Sequence, residues 1–123
     1  MWVKKNGELV QVTDESREKF RTNVSHSFLE EIRKLADEYD THANYIIESG
    51  LRRMIEKEEI PKKKEERPQD RIQYKTTYDK ELLDSVRNYA AKYKVNVNDV
   101  IESCRPYIDV HNIKGKDHRY RIE

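Results

Sequence analysis

In two short segments of this chain, every second side chain is polar and able to form hydrogen bonds. The segments are KFRTNV at 19–24 and QYKTTY at 73–78. Alternation is the two-residue period of a β-strand, so these polar side chains share one strand face. They are Lys19, Arg21 and Asn23, followed by Gln73, Lys75 and Thr77. Residues 17–23 and 71–77 hold five basic residues against one acid, Glu18, which predicts a positive local field.

Charge is informative only locally in this protein. The formal net charge is +1, although 40% of the 123 residues are charged. A nearly neutral chain gives no indication of a nucleic-acid partner through its overall charge. An electrostatic argument therefore depends on where the charges cluster.

Side chains that typically perform catalysis or bind metals do not form a recognisable set. Cys104 is the only cysteine, and three glycines provide no Gly-rich phosphate loop or G-x-S-x-G element. The histidines lack zinc-ligand spacing with cysteine or acidic partners. They are His26, His42, His111 and His118. The sequence therefore predicts a protein without enzymatic activity, metal or cofactor.

The start of the chain and its apolar runs indicate a cellular compartment. Lys4 interrupts the first apolar residues before a signal peptide could form. No run approaches the 18 apolar residues that indicate a membrane span, and a single cysteine is typical of a reducing compartment. We expect a cytoplasmic protein with no membrane contact.

The elements that carry the two polar rows belong to an internal repeat. A shift of 54 positions aligns residues 17–54 with 71–108 without a gap and produces ten identical pairs, where average composition would produce roughly two. The pairs are Arg17/Arg71, Thr22/Thr76, Leu29/Leu83, Arg33/Arg87, Ala36/Ala90, Tyr39/Tyr93, Asn44/Asn98, Ile47/Ile101, Glu48/Glu102 and Ser49/Ser103. This pattern indicates a structural duplication.

Each repeat predicts a strand followed by two helices. Apolar residues recur at three-to-four spacing after each strand, and Ser25 and Asp79 are good N-cap residues at the strand-to-helix junctions. A single strand with two short helices leaves its edges open and buries too little apolar surface. We therefore expect the two strands to pair antiparallel and the four helices to share one core.

The flanking sequences complete a division into five parts. Asn6 and Gly7 predict a type I′ turn within a hairpin, and the proline- and charge-rich segment EIPKKKEERPQD predicts a solvated linker. We divide the chain into an N-terminal hairpin extension (1–16), a first unit (17–58), a linker (59–70), a second unit (71–108) and a C-terminal tail (109–123).

The segment YKTTYDKELLDSVRNYAAKYKVNVNDVIES resembles the Arc- and Met-repressor-like ribbon-helix-helix proteins. The shared features are the alternating strand, the helix entry D-K-E-L-L-D and the second helix opening N-V-N-D-V-I. Residues 19–55 resemble a more divergent copy, so that the resemblance covers about two thirds of the chain. It implies a mostly α fold with a two-stranded antiparallel ribbon, here a tandem pseudo-dimer with an added N-terminal β-hairpin.

The resemblance also implies sequence-specific binding of double-stranded DNA, as in a bacterial or phage transcriptional repressor. In that family the ribbon lies in the major groove and its outward side chains contact base edges. The matching positions here are Lys19, Arg21, Asn23, Gln73, Lys75 and Thr77. The same alternation is typical of a merely solvated strand face, so alternation alone does not distinguish the two interpretations. Because the two rows differ in sequence, an intramolecular ribbon predicts a non-palindromic subsite.

Phosphate contacts are implied at the start of each second helix, where free amides and the helix dipole attract anions. The matching positions are His42, Ala43 and Asn44, then Asn96, Val97 and Asn98; we also assign Arg17 and Arg71 to phosphates. His42 is a poor N-cap and Asn96 a good one, which predicts that the first unit has the weaker clamp or uses Thr41 instead.

Four positions depart from the family pattern or bear on helix packing. The family often has Gly between its helices, where φ is positive; this chain has Asp40 and Lys94. Pro106 is expected to kink or end the last helix. Cys104 aligns with Gly50 where the second helices should cross, which predicts a small core residue and not a nucleophile.

Two other functions remain open at this point. One is an antitoxin-like or adaptor protein, in which the helical core is a dimerisation scaffold and a flank binds another protein. Near-zero net charge and Glu18 beside the polar row favour it. The other is RNA binding, for which the exposed strand face lacks stacking aromatics. Besides DNA, the partners considered are a second copy of the chain along the duplex or a protein.

Overall fold

The computed structural model describes residues 2–5, 8–11, 16–111 and 113. Its fold is mixed α and β, with four α-helices around a two-stranded antiparallel sheet. The strands of that sheet are β3 (Arg17–Ser25) and β4 (Arg71–Asp79), and the helices are α1 (His26–Glu38), α2 (Ala43–Glu56), α3 (Lys80–Tyr93) and α4 (Val97–Ser103). Before them, β1 (Trp2–Lys5) pairs antiparallel with β2 (Glu8–Gln11). The expected turn at Asn6 and Gly7 lies outside the described residues, as does the sequence after 113.

Strands β3 and β4 pair antiparallel along their whole length. The register runs from Arg17 opposite Asp79 to Ser25 opposite Arg71. The inner row of side chains faces the helices, and Val24 and Tyr78 are almost completely buried in it. The antiparallel pairing expected from the alternating segments is therefore confirmed.

Each strand passes into its helix through a side-chain cap. The Ser25 hydroxyl accepts the Phe28 amide at 3.2 Å, and the Asp79 carboxylate accepts the Leu82 amide at 3.0 Å. These bonds satisfy amides that the first helical turn leaves without a partner. Both N-cap predictions are confirmed.

A single apolar core joins the two repeats. Leu29 and Ile32 from α1 and Ile46 and Ile47 from α2 are completely buried, and they belong to one cluster with the matching residues of α3 and α4. The matching residues are Leu83, Val86, Val100 and Ile101. The helices of one repeat therefore cover the apolar faces of the other, as four short helices must if none is to expose its stripe.

Helix α2 passes close to the end of α4 at Gly50 and Cys104. A Cβ atom at Gly50 would lie 2.7 Å from the Cys104 carbonyl oxygen and 3.0 Å from its Sγ. Cys104 is completely buried, and burial raises the pKa of its thiol well above the usual range. The predicted small core residue is confirmed.

The segment between the repeats is more ordered than its composition predicts. Residues 62–66 are exposed, but the Lys62 amide donates to the Ser103 hydroxyl at 2.8 Å and the Tyr89 hydroxyl donates to the Glu59 carbonyl. Arg67 pairs with the Asp99 carboxylate at 2.8 Å. The segment is solvated along its middle and fastened to α3 and α4, a docking that charge and proline content do not reveal.

The last helix is short. Helix α4 ends at Ser103 after seven residues, whereas α2 has fourteen, and a 3-10 turn follows over Arg105–Tyr107. Pro106 has no amide to donate and cannot continue the α-helical pattern. The predicted early end is confirmed.

The turns after α1 and α3 use the left-handed conformation at matching positions. Asp40 has φ 54° and Lys94 has φ 56°. Lysine has no short polar group that stabilises this conformation locally, so Lys94 carries backbone strain.

Lys94→Gly is therefore expected to raise the free energy of unfolding by about 0.5 to 1 kcal/mol, because relief of strain outweighs the added freedom of the unfolded chain. Chemical denaturation measures the change. Lys92→Gly, within α3, is the matched control and is expected to lower stability by about 1 kcal/mol. Equal destabilisation by both substitutions would contradict the strain argument.

Candidate nucleic-acid interface

The antiparallel register brings the six predicted base-contacting residues into one row on the outer face of the β3–β4 ribbon. Three cross-strand pairs form this outer row. They are Lys19 opposite Thr77, Arg21 opposite Lys75, and Asn23 opposite Gln73. Two strands that pair in this register place all six side chains on the face away from the helices.

Five of the six outer-row side chains are exposed, and Thr77 is half-buried. Among residues that the structure describes, none bonds to the side chains of the five exposed members. The Thr77 hydroxyl differs, since it accepts a hydrogen bond from Arg17 Nε at 3.1 Å. The row therefore offers five unused polar side chains to an external partner, with Thr77 partly held by its own chain.

The centre of the outer row carries two like charges. Arg21 and Lys75 lie directly opposite each other, an arrangement that destabilises a ribbon. Glu18, an acid on the same strand as Arg21, lies in the other row and pairs with Arg87 at 2.6 Å, so it does not neutralise them. A polyanion placed over this face would remove the repulsion.

Arg17 and Arg71 point to carboxylates of the second helices. Arg17 lies 2.8 Å from Glu48, and Arg71 lies 2.5 Å from Glu102. The Arg17 and Glu48 side chains are only 8% and 1% exposed. Both guanidinium groups are therefore engaged by carboxylates of the same chain, and the phosphate contacts assigned to them stay a prediction.

The same two glutamates hold the ends of the strands. Glu48 accepts the Asp79 amide at 3.0 Å, and Glu102 accepts the Ser25 amide at 2.7 Å. Sequence reasoning missed this role, although the identity of Glu48 and Glu102 at matched positions among buried apolar neighbours was an available signal. Each glutamate links a second helix to the strand of the other repeat.

Asn44 and Asn98 also bind the ribbon. The Asn44 amide donates to the Thr77 carbonyl at 3.0 Å, and the Asn98 amide donates to the Asn23 carbonyl at 2.9 Å. Their side-chain amides thus fasten the starts of α2 and α4 to the ribbon. Phosphate contact at these helix starts would have to come from backbone amides and not from the asparagine side chains.

The two second-helix starts differ in charge. Helix α2 follows His42, which forms no side-chain cap, and has no acidic residue in its first turn. In α4 the Asp99 carboxylate accepts the Asn96 amide at 2.8 Å, and it occupies the first turn beside the half-buried Val97. Asp99 is itself paired with Arg67 and Arg71. The expected difference in capping between His42 and Asn96 is present, and a weaker phosphate clamp in the first unit stays a prediction.

Asp99 belongs to a buried ion cluster. Burial by itself would raise its pKa, but hydrogen bonds from Arg67 and Arg71 outweigh burial and hold the pKa of Asp99 below its usual value. The bond to Glu102, followed by that to Asp99, raises the pKa of Arg71. These charges remain ionised at neutral pH and stabilise the contact between strand β4 and helix α4.

Two features of the described residues concern metal sites and membrane spans. Within this part of the chain no three His, Cys, Asp or Glu side chains converge on a metal position, and none of its helices is both long and apolar enough to cross a membrane. What the arrangement can do chemically is donate and accept hydrogen bonds along an exposed, positively charged ribbon. Comparison with protein-family models, with curated proteins and with solved structures produced no match to this chain.

Proposed function

We propose that this protein binds double-stranded DNA in a sequence-specific manner, with the β3–β4 ribbon in the major groove, and acts as a repressor-like transcriptional regulator. The observation that carries the proposal is the exposed outer row centred on the opposed Arg21 and Lys75. Among the side chains that the structure describes, no acid pairs with either of these two charges, so an anionic partner would stabilise this face.

The proposal includes a ribbon-helix-helix pseudo-dimer formed by the units 17–58 and 71–108 within one chain. Its support is a set of contacts that recur at the 54-residue shift of the repeat. The pairs are Arg17–Glu48 and Arg71–Glu102, Asp79–Glu48 and Ser25–Glu102, Asn44–Thr77 and Asn98–Asn23, and the backbone bonds His26–Asp70 and Lys80–Ser16. Contacts that repeat in this way are expected of two units related by an approximate two-fold axis.

The shape and the side chains of the ribbon suit a major groove. The groove is about 12 Å wide and admits a two-stranded ribbon. Arg21 and Lys75 can donate to guanine O6 and N7, and Asn23 and Gln73 can pair with adenine. The backbone amides at the start of α2 can contact a flanking phosphate. We include the N-terminal strands as an accessory hairpin of the same protein.

The antitoxin-like or adaptor alternative has less support than it had from sequence. One argument for it was an acid beside the polar row, but Glu18 faces α3 and pairs with Arg87 there. An adaptor would also have no need of two opposed cations on an exposed ribbon.

The proposal is tested by substituting the two central cations. Arg21→Ala and Lys75→Ala are each expected to weaken binding to a selected specific duplex by about 1 to 3 kcal/mol and binding to random DNA by much less. Fluorescence anisotropy across a salt series measures both. Arg53→Ala, which removes an exposed arginine at the far end of α2, is the control and should leave specific binding unchanged.

Two results would count against DNA reading. One is the absence of binding to any selected duplex at low salt. The other is an equal loss from all three substitutions, because the ribbon would then contribute only charge and no recognition of bases.

A further inference from the structure

The two ends of the outer row carry different chemistry. One end has Lys19 opposite Thr77, and the other has Asn23 opposite Gln73. The 54-residue shift matches Lys19 with Gln73 and Asn23 with Thr77, so neither end position is the same in both repeats. The central pair differs from the ends, because the shift matches Arg21 with Lys75 and both residues are basic.

The Asn23–Gln73 end offers two exposed carboxamides. Neither side chain is bonded to another residue in the described part of the chain, so each can direct both a donor and an acceptor outward. A carboxamide matches the N6 donor and N7 acceptor of adenine, a pairing that neither lysine nor threonine reproduces.

The Lys19–Thr77 end has no comparable adenine reader. Lys19 offers only donors, and the Thr77 hydroxyl accepts bonds from Arg17 and, at 3.4 Å, from the Asn44 amide. This end therefore contributes positive charge more than base identity.

The two ends of the outer row also differ in charge. The Asn98 bond to the Asn23 carbonyl brings the start of α4, with Asp99, to the carboxamide end. The Asn44 bond to the Thr77 carbonyl brings the start of α2, without an acid in its first turn, to the lysine end. Asp99 is paired with Arg67 and Arg71, so the difference in charge comes from the row itself. Lys19 is positive, whereas the uncharged Asn23 and Gln73 depend more on bases.

We infer that the ribbon reads its duplex with a fixed polarity: A·T base pairs under Asn23 and Gln73, G·C base pairs under Arg21 and Lys75, and no adenine requirement under Lys19 and Thr77. This inference depends on the proposed function and adds the base composition and direction of the subsite. The residues that set the direction are those of the two end pairs.

Selection of bound duplexes from a random library tests the polarity with the intact chain. Within the span that one chain protects in footprinting, the enriched motif should have a G·C centre and A·T pairs on one side only. Replacing those A·T pairs with G·C should weaken binding roughly ten- to hundredfold. The same replacement on the other side should change binding little.

A symmetrising variant provides the sharper test. Lys19→Gln combined with Thr77→Asn equips both ends with carboxamides, so the selected motif should gain A·T pairs on the second side and become nearly palindromic. Lys19→Gln alone leaves the contacts of Thr77 intact and should produce part of the same gain if the double variant folds poorly. Lys34→Gln, the same change on the exposed face of α1, should leave the motif unchanged.

The outcomes separate the two proposals. A wild-type motif that is already palindromic within one chain's span, or a motif that both ribbon variants leave unchanged, overturns the polarity while DNA binding stands. Failure of the wild-type protein to enrich any duplex overturns both.

Discussion

Gly50→Leu is expected to lower the free energy of unfolding by about 3 kcal/mol or more, at the upper end of what overpacking of a core costs. Even the first added atom meets the Cys104 carbonyl oxygen at 2.7 Å and Ile108 Cγ1 at 2.8 Å. The carbonyl belongs to the backbone at the C-cap of α4, so it cannot move aside as a flexible side chain would. Relief requires α2 and α4 to separate along the core.

Thermal and chemical denaturation followed by circular dichroism measures this loss. Ala91→Leu adds three of the same four carbon atoms at an exposed position of α3 and is expected to change stability by less than about 0.5 kcal/mol. A Gly50→Leu protein as stable as the Ala91→Leu control would show that the helices do not cross as closely as described.

Glu48→Ala is expected to cost about 3 to 5 kcal/mol, because removal of one partner leaves a buried charge without compensation. The Arg17 guanidinium, 8% exposed, would lose its carboxylate, and the Asp79 amide would lose its acceptor. A typical domain has a stability of about 5 to 15 kcal/mol, so this one change removes a large part of it. Glu102→Ala should act in the same direction at the matching position.

The exposed ion pair Glu18–Arg87 is the control for the buried ion pair Arg17–Glu48. Glu18 and Arg87 are 34% and 41% exposed, and Glu18→Ala is expected to cost less than about 1 kcal/mol because water screens the charges. Urea denaturation of both variants compares them directly. Similar small losses from Glu48→Ala and Glu18→Ala would mean that the glutamates do not hold the strands to the second helices.

Local patterns predicted the elements well because each depends on neighbours in sequence. Alternation placed Lys19, Arg21 and Lys75 on one strand face, and the N-caps followed from Ser25 and Asp79 at the junctions. The alignment of Gly50 with Cys104 also predicted where two helices cross. An odd or even position along a strand, however, assigns a residue only to one face. It does not determine which group the end of a long side chain contacts.

Arg17 shows that limit most clearly. Its parity matches that of Lys19, and sequence reasoning assigned it to phosphates. In the fold it lies at the start of β3, within reach of Glu48 on α2, and its guanidinium donates to that buried carboxylate at 2.8 Å. Neither residue indicates the other, because 31 positions separate them in sequence.

By itself, the sequence determined the repeat, the strand and helix order and the polar face of the ribbon, since these depend on side-chain periodicity and on the chemistry of single residues. The tertiary structure decided which members of that face remain exposed, which arginines neutralise buried acids, and which end of the ribbon lies beside Asp99. Those outcomes depend on distances between segments far apart in the chain, and only the packed core sets such distances.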